Sequence, residues 1–590
     1  MKKNYFFGKV IAGMAILFSV TWGFVSCGKT DNALEEIINS ETPITFTVTK
    51  TSGTTAKTVI LTPGNITDAL KEVLADIMDA ADAGEKYTLT IDASHLTIDA
   101  SQISIPKIDG ADIVLEFENL GNSDETLQFK ASSTANNDGS PSATAINNLT
   151  IKLPASSTQD LDINLPDTHV ELEGGYGTVN AVTALSTLVV KNGATIQFLH
   201  INFEGEKQSP VLVKDGGKIE ALLFYAGEEF RTNTVFTNDA GDEFNWGYDD
   251  GRNITTFLGY GINAMSQMGN NEFVIRDENG KPYFIKSVKV IKGNGGNGLF
   301  DNKYALANLQ QSYTQTGDWS DYELATIDKL IIGDGAAVIL NHGANVKEII
   351  GEGDGTGTLY YGSIEYTREE GQITGISDYS NNGDLYGIGK ISNVIFKPVT
   401  DSGYGEFAAP AEVERPQDPG PEANEDERNA FNQQNDAYNA YINKIHAQIQ
   451  NMANMENCTI NCDNIQLPYE DEGISITNCT FKTWSDWDNY KIWHMFTWVD
   501  ENEVITYAVS FKDCKFDQKL SFGVSYWSIF AAGSSIKFTF NGCEYSDDFF
   551  SSDGFNIFND PPLRFDIDGT LKKLEWDGDQ NKWNMVNAAD

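Results

Sequence analysis

Residues 474–481 read Ile-Ser-Ile-Thr-Asn-Cys-Thr-Phe, and the reading of this octet decides the fold. Ile474 and Ile476 share one parity of an alternating run, whereas Cys479 and Phe481 share the other. Side chains alternate faces along a strand, so a switch of parity means that the chain bends or bulges at Asn478. The pattern recurs at Ile391–Phe396, Met455–Ile460, Phe511–Phe516 and Phe540–Tyr545, with Asn393, Asn457, Asp513 and Gly542 at the switch. These residue types enter the left-handed backbone region most cheaply, which is what a sharp corner between two strands demands. The next position is Val394, Cys458, Cys479, Cys514 or Cys543, so it calls for a small apolar side chain. Cys458 and Cys462 with Cys479 and Cys514 could be imagined as zinc ligands, but the separations of 21 from 458 to 479 and 35 from 479 to 514 are those of successive coils rather than of a compact knuckle, and no metal is expected there.

A second repeat marks turns. Leu188–Ile196, Val211–Ile219 and Leu330–Val338 share three apolar residues, one variable residue, Asn/Asp-Gly, two small or polar residues and an apolar one. Asn-Gly and Asp-Gly tolerate positive φ and mark tight bends between strands. The first two copies lie 23 residues apart, which is also the length of one coil of a parallel β-solenoid. The β-rich runs at 87–105 and 111–120 fit the same reading.

With both repeats in view, the chain resembles the right-handed parallel β-helix, the pectate-lyase-like superfold, whose coils carry an Asn-(Cys/Val)-x-(Phe/Ile) corner with the apolar residues stacked inside. The resemblance covers residues 85–400 and 454–545 and implies an all-β solenoid. It also implies a capping helix at the N-terminal end, for which residues 65–84 supply apolar Leu70, Val73, Leu74, Ile77 and Met78 at helical spacing, with Gly84 as a stop. A cap is needed because an open solenoid end exposes strand edges.

The N-terminus carries Lys2, Lys3 and Lys9, then an apolar stretch from Val10 to Val25 and a cysteine, the pattern of a secretory signal. Phe24-Val25-Ser26-Cys27 resembles a bacterial lipoprotein box, which implies that Cys27 is fatty-acylated, as by palmitate, and becomes the first mature residue. Gly28 is similar to lipoproteins sorted to the outer membrane. The expected partner is therefore a membrane, through a lipid anchor.

The chain of 590 residues has 85 acidic against 41 basic residues, a net charge of −44, and loss of three signal lysines makes it −47. Such a chain excludes nucleic acid as a partner, because phosphate binding needs clustered Lys and Arg. The expected division is a signal peptide at 1–26, a lipidated tether at 27–43, and a β-helix at 44–405 with a loop insertion at 225–325. A Pro-rich linker and helical insertion follow at 406–453, C-terminal coils at 454–545 and a C-terminal cap at 546–590. In the insertion Tyr438, Ile442, Ile445, Ile449 and Met452 recur at helical spacing and would pack the helix on the solenoid or a partner.

A β-helix hydrolase of the resembled type would show Asn-x-Asp, Asp-Asp, Gly-His-Gly and Arg-x-Lys in order. Here Asp249, Asp250 and Arg252 are present, but Asn341 precedes His342 where Gly is required and Arg-x-Lys is missing. Asp249, Asp250 and Arg252 are the best catalytic candidates, weighed against a solvated acidic loop. Aromatic residues carry more. Of nine tryptophans outside the signal, seven lie beyond residue 480, and Trp484, Trp487, Trp493 and Trp498 with Tyr490 fall in one stretch between the corners at 478 and 513, whose separation of 35 exceeds one coil and so makes room for a loop. Two readings stand for this stretch: a platform for stacking on sugar rings, or a hydrophobic cover for the solenoid. Residues 576–583 suggest calcium but lack the remaining ligands of a known loop, so no cofactor is expected. The sequence thus reads as an outer-membrane lipoprotein, displayed at the cell surface or the periplasmic face, that binds glycan or mediates adhesion without catalysis. The alternatives are a polysaccharide lyase or glycoside hydrolase, and a structural envelope protein.

Overall fold

The computed structural model describes residues 42–588 apart from several stretches, the longest being 62–85, 132–147, 226–274 and 293–325 outside a few short strands, 362–381 and 399–410. The stretches expected to form a capping helix at 65–84, an acylation site at Cys27 and a signal all lie outside the described residues. The architecture is all-β, mostly parallel and poor in helix, and it is consistent with a β-solenoid. Among the described residues no helix is long and apolar enough to cross a membrane. The chain forms two compact units, 1–195 and 196–590.

In the first unit the strands alternate between two parallel sheets. One holds Lys86–Asp92, Asp112–Glu118, Asn148–Lys152, His169–Glu173 and Thr187–Val190. The other holds Gln102–Ile105, Leu127–Ala131, Leu161–Asn164 and Gly175–Ala181. Register stacks like on like: Leu89, Leu115, Ile151, Leu172 and Val190 form one buried column, and Ile103, Phe129, Ile163 and Ala181 another. Each such aliphatic side chain contributes about 1.5–3 kcal/mol on burial. The first sheet begins in an antiparallel hairpin, Thr42–Lys50 with Gly53–Leu61, whose first strand runs antiparallel to Lys86–Asp92.

In the second unit the chain visits three parallel sheets in turn. One round runs through Asn454–Glu456, Thr459–Asn461 and Asn464–Leu467, and the next through Ile474–Thr477, Thr480–Lys482 and Lys491–Phe496. The interior columns are Ile391–Met455–Ile476–Phe511–Phe540, Phe396–Ile460–Phe481–Phe516 and Ile449–Ile465–Ile492–Phe522, all buried. Toward the C-terminal end these columns become aromatic: Phe511 stacks on Phe540 at 4.9 Å and Phe481 on Phe516 at 4.8 Å, both within 10° of parallel. The last parallel strand, Leu563–Ile567, turns at Asp568-Gly569, both at positive φ, into the antiparallel pair Thr570–Asp577 and Lys582–Asn587.

The corner pattern holds residue by residue. Asn393, Asn457, Asn478, Asp513 and Gly542 have φ of 57°, 55°, 51°, 54° and 65°. The first four corner amides each donate to the carbonyl just before the next corner, Asn478 N to Lys512 O at 2.8 Å and Asp513 N to Asn541 O at 2.8 Å, and Gly542 N donates to Asp568 Oδ1 at 2.8 Å. The side chains form a second rail: Asn457 Nδ2 donates to Asn393 Oδ1 at 3.1 Å, and Asn478 Nδ2 to Asn457 Oδ1 at 2.7 Å. Cys458, Cys479 and Cys514 are buried beneath. The Asn-Gly and Asp-Gly turns close as expected, Lys191 O accepting from Ala194 N at 3.0 Å and Lys214 O from Gly217 N at 2.9 Å. The turn at Asp215-Gly216 joins strands of different sheets, Val211–Val213 and Lys218–Tyr225, so it is a coil corner and not a hairpin.

Two stretches differ from expectation. Within 225–325, read as loops, Ser287–Ile291 is a strand of the main sheet between Lys218–Tyr225 and Thr326–Ile332. The helix spans Glu425–Ile445, and Ile449 belongs instead to the strand Gln448–Gln450, where it is buried. The helix starts in a reciprocal cap, Glu427 N donating to Asn424 Oδ1 and Asn424 N to Glu427 Oε2, each at 2.9 Å. Within the aromatic stretch, Lys491–Phe496 is a strand that pairs with Asn464–Leu467 on one side and Ser521–Tyr526 on the other.

Candidate functional site

The aromatic stretch starts from two residues of the preceding round. Asp463 is fully buried at the corner before Asn464–Leu467, and its Oδ1 accepts the backbone N–H of Trp484 at 3.0 Å. Its carbonyl oxygen accepts from Lys491 N at 3.2 Å, and Asn464 Oδ1 accepts from the same N–H at 3.1 Å. The segment between Trp484 and Lys491 therefore leaves and returns on one dipeptide. Buried carboxylates are held where they accept hydrogen bonds, so Asp463 fixes this stem and does not face solvent as an acid. Trp484 is half-buried. Trp493 occupies the register position between Gln466 and Gly523. Trp487, Tyr490 and Trp498 lie outside the described residues, as do Asp249, Asp250 and Arg252.

A second aromatic feature sits on the terminal hairpin. Trp576 and Trp583 are cross-strand partners, with ring centroids 5.3 Å apart at 64°. Trp583 is buried, whereas Trp576 is 51% exposed. Asp577, beside it, accepts from Asp579 N at 3.0 Å and Gln580 N at 3.1 Å through Oδ1, and from Asn584 Nδ2 at 3.3 Å through Oδ2. That carboxylate organises its own turn. Among the described residues no group of three His, Cys, Asp or Glu is placed to hold a metal ion.

The first unit carries a charged ladder that the sequence reading did not find. Register brings Glu116, Lys152, Glu173 and Lys191 side by side on successive strands, so unlike charges alternate. Lys152 pairs with Glu116 at 2.5 Å, and this hydrogen bond holds its ammonium pKa above the ordinary value against the opposing effect of burial. Next to this row, Glu171 accepts from Lys191, from Thr150 Oγ1 at 3.1 Å and contacts His169 Nε2 at 3.5 Å. Burial pushes the Glu171 carboxyl up, but the hydrogen bond and charge of Lys191 outweigh it and the net direction is down. Asn192 at the turn donates to Glu173 at 2.7 Å. Each carboxylate is neutralised by a neighbour, so the cluster locks strands and offers no poised acid–base pair. The signal for it was present as polar residues at matching parity in Asn148–Lys152 and His169–Glu173, but only the register relates them.

No protein-family model, no curated protein and no solved structure matches the chain.

Proposed function

We propose that the chain is an envelope lipoprotein, anchored through Cys27, whose right-handed parallel β-helix holds aromatic side chains for glycan binding or adhesion without catalysis. The right hand follows from the general preference of parallel crossover connections, about 98% of which are right-handed. The observation that carries the binding reading is the shared stem of the Trp484–Lys491 segment on Asp463 and Asn464. A loop whose ends are fixed before binding loses less entropy when a ligand orders it, and a ring such as Trp or Tyr supplies stacking area at low rotamer cost. The exposed Trp576 supplies a second ring of the same kind.

The test is affinity electrophoresis of the mature protein through a panel of neutral polysaccharides, with product analysis of the same mixtures. Retention without product, weakened about tenfold (about 1.4 kcal/mol) by Trp487→Ala or Tyr490→Ala, is the expected outcome. Release of unsaturated or reducing ends would transfer the assignment to a lyase or hydrolase. Absence of retention across the panel would leave a structural envelope role. The anchor is tested separately by incorporation of labelled fatty acid into wild type and Cys27→Ala, which should label only the former.

A further inference from the structure

The corner column carries chemistry as well as packing. The pairings Thr459 with Thr480, Thr480 with Lys515 and Lys515 with Glu544 set Cys458, Cys479, Cys514 and Cys543 above one another on four successive rounds. In-register parallel strands lie about 4.8 Å apart, inside the range of Cα separations that a disulfide spans. Taken in order the four make two adjacent pairs, Cys458 with Cys479 and Cys514 with Cys543, the members of each one round apart. The two pairs differ in access. Cys458, Cys479 and Cys514 are buried, and Cys543 is half-buried. Cys543 Sγ contacts Phe511 O at 3.5 Å and Asn541 O at 3.6 Å.

We propose that Cys514 and Cys543 are a reversible redox pair that closes a disulfide between adjacent rounds, with Cys543 meeting the oxidant and Cys514 resolving the adduct. With a small-molecule disulfide as oxidant, the Cys543 thiolate attacks one sulfur and releases one thiol of the reagent. Cys514 then attacks the Cys543 sulfur, forms the Cys514–Cys543 bond and releases the second thiol. Two protein thiols are oxidised, one reagent disulfide is reduced to two thiols, and two protons move from the protein thiols to the reagent thiolates. Polarity supports this order: the neighbouring Cys514 thiol lowers the Cys543 thiol, whereas Cys543 and burial push Cys514 up. The thiolate is the attacking species, so the first step belongs to Cys543. The Cys458–Cys479 pair has the same stacking without an exposed member, and is the internal control.

The experiment incubates the folded full chain, reduced and freed of reductant, with oxidised glutathione, quenches with N-ethylmaleimide and maps the digest by mass. The expected result is a peptide pair linked through Cys514 and Cys543, two fewer reactive thiols per chain, reversal by dithiothreitol, and Cys458 and Cys479 still reduced. In Cys514→Val the glutathione adduct should persist on Cys543, and in Cys543→Val Cys514 should stay unmodified. Valine is chosen because Val394 holds the same column position. A wild-type adduct that stays on Cys543 overturns the proposal. So does a link that forms only in urea, or one between Cys458 and Cys479 that forms as fast. The wild-type map decides the matter even if both variants misfold.

Discussion

At Asn478 the backbone, the amide side chain and the neighbouring rounds make separate demands on one residue. Its φ of 51° is cheap for Asn and costly for a β-branched residue, and its side chain continues the amide rail to Asn457. Asn478→Val should therefore lose about 1–3 kcal/mol from backbone strain alone, read as a lower urea midpoint. Cys479→Val fills the same buried space and should cost less than about 1.5 kcal/mol. If the two variants unfold at the same urea concentration, the corner is not where the stability resides. Glu171 makes a pH-dependent contribution. Its folded pKa is depressed, so the stabilisation is present above the unfolded value of about 4.3 and is lost as pH falls through the folded value. Wild type should lose stability on acidification below about pH 4.3 more steeply than Glu171→Gln, and parallel pH curves would refute this. The corners were legible in the sequence because the requirement sits in one residue type at one position. The Glu171 cluster was not, because its members are neighbours only once the register is known.

At the scale of the element, two kinds of glycine separate. Gly193 ends an Asn-Gly turn at φ 71°, with open space where a Cβ would stand. Gly174 has φ 95°, and a Cβ there would fall 1.9 Å from Leu153 O. Gly193→Ala should cost only the left-handed penalty of about 1–2 kcal/mol. Gly174→Ala must also move backbone, so it belongs with the exceptional losses of about 4–5 kcal/mol or more. Guanidinium unfolding of both variants checks the order, and equal losses would contradict it. The Asn-Gly signature announced the first glycine. The second gave no sign, since its need arises from Leu153, which follows the strand Asn148–Lys152 of the preceding round. The strand Ser287–Ile291 was hidden for a related reason: Val288 and Val290 alternate correctly, but five residues between polar neighbours carry too little signal to stand out.

On the scale of the whole chain, sequence conveyed that the sheets run parallel and called for caps, but not that antiparallel hairpins stand at 42–61 and 568–587. The repeats describe what each round shares with the next, and the hairpins at 42–61 and 568–587 share nothing with them. Removing residues 568–590 should leave Leu563–Ile567 without its antiparallel partner and present a bare strand to other molecules. Light scattering should then show a larger particle mass than for the intact chain, and an unchanged state of association would argue that the hairpin does not guard that strand. The hairpins also bear on descent. In a parallel array every strand is a template for a copy of itself, so duplication of a round can lengthen the protein without new pairing rules. The two reversed segments do not serve as such templates, and a lineage built on this plan can add copies only from within.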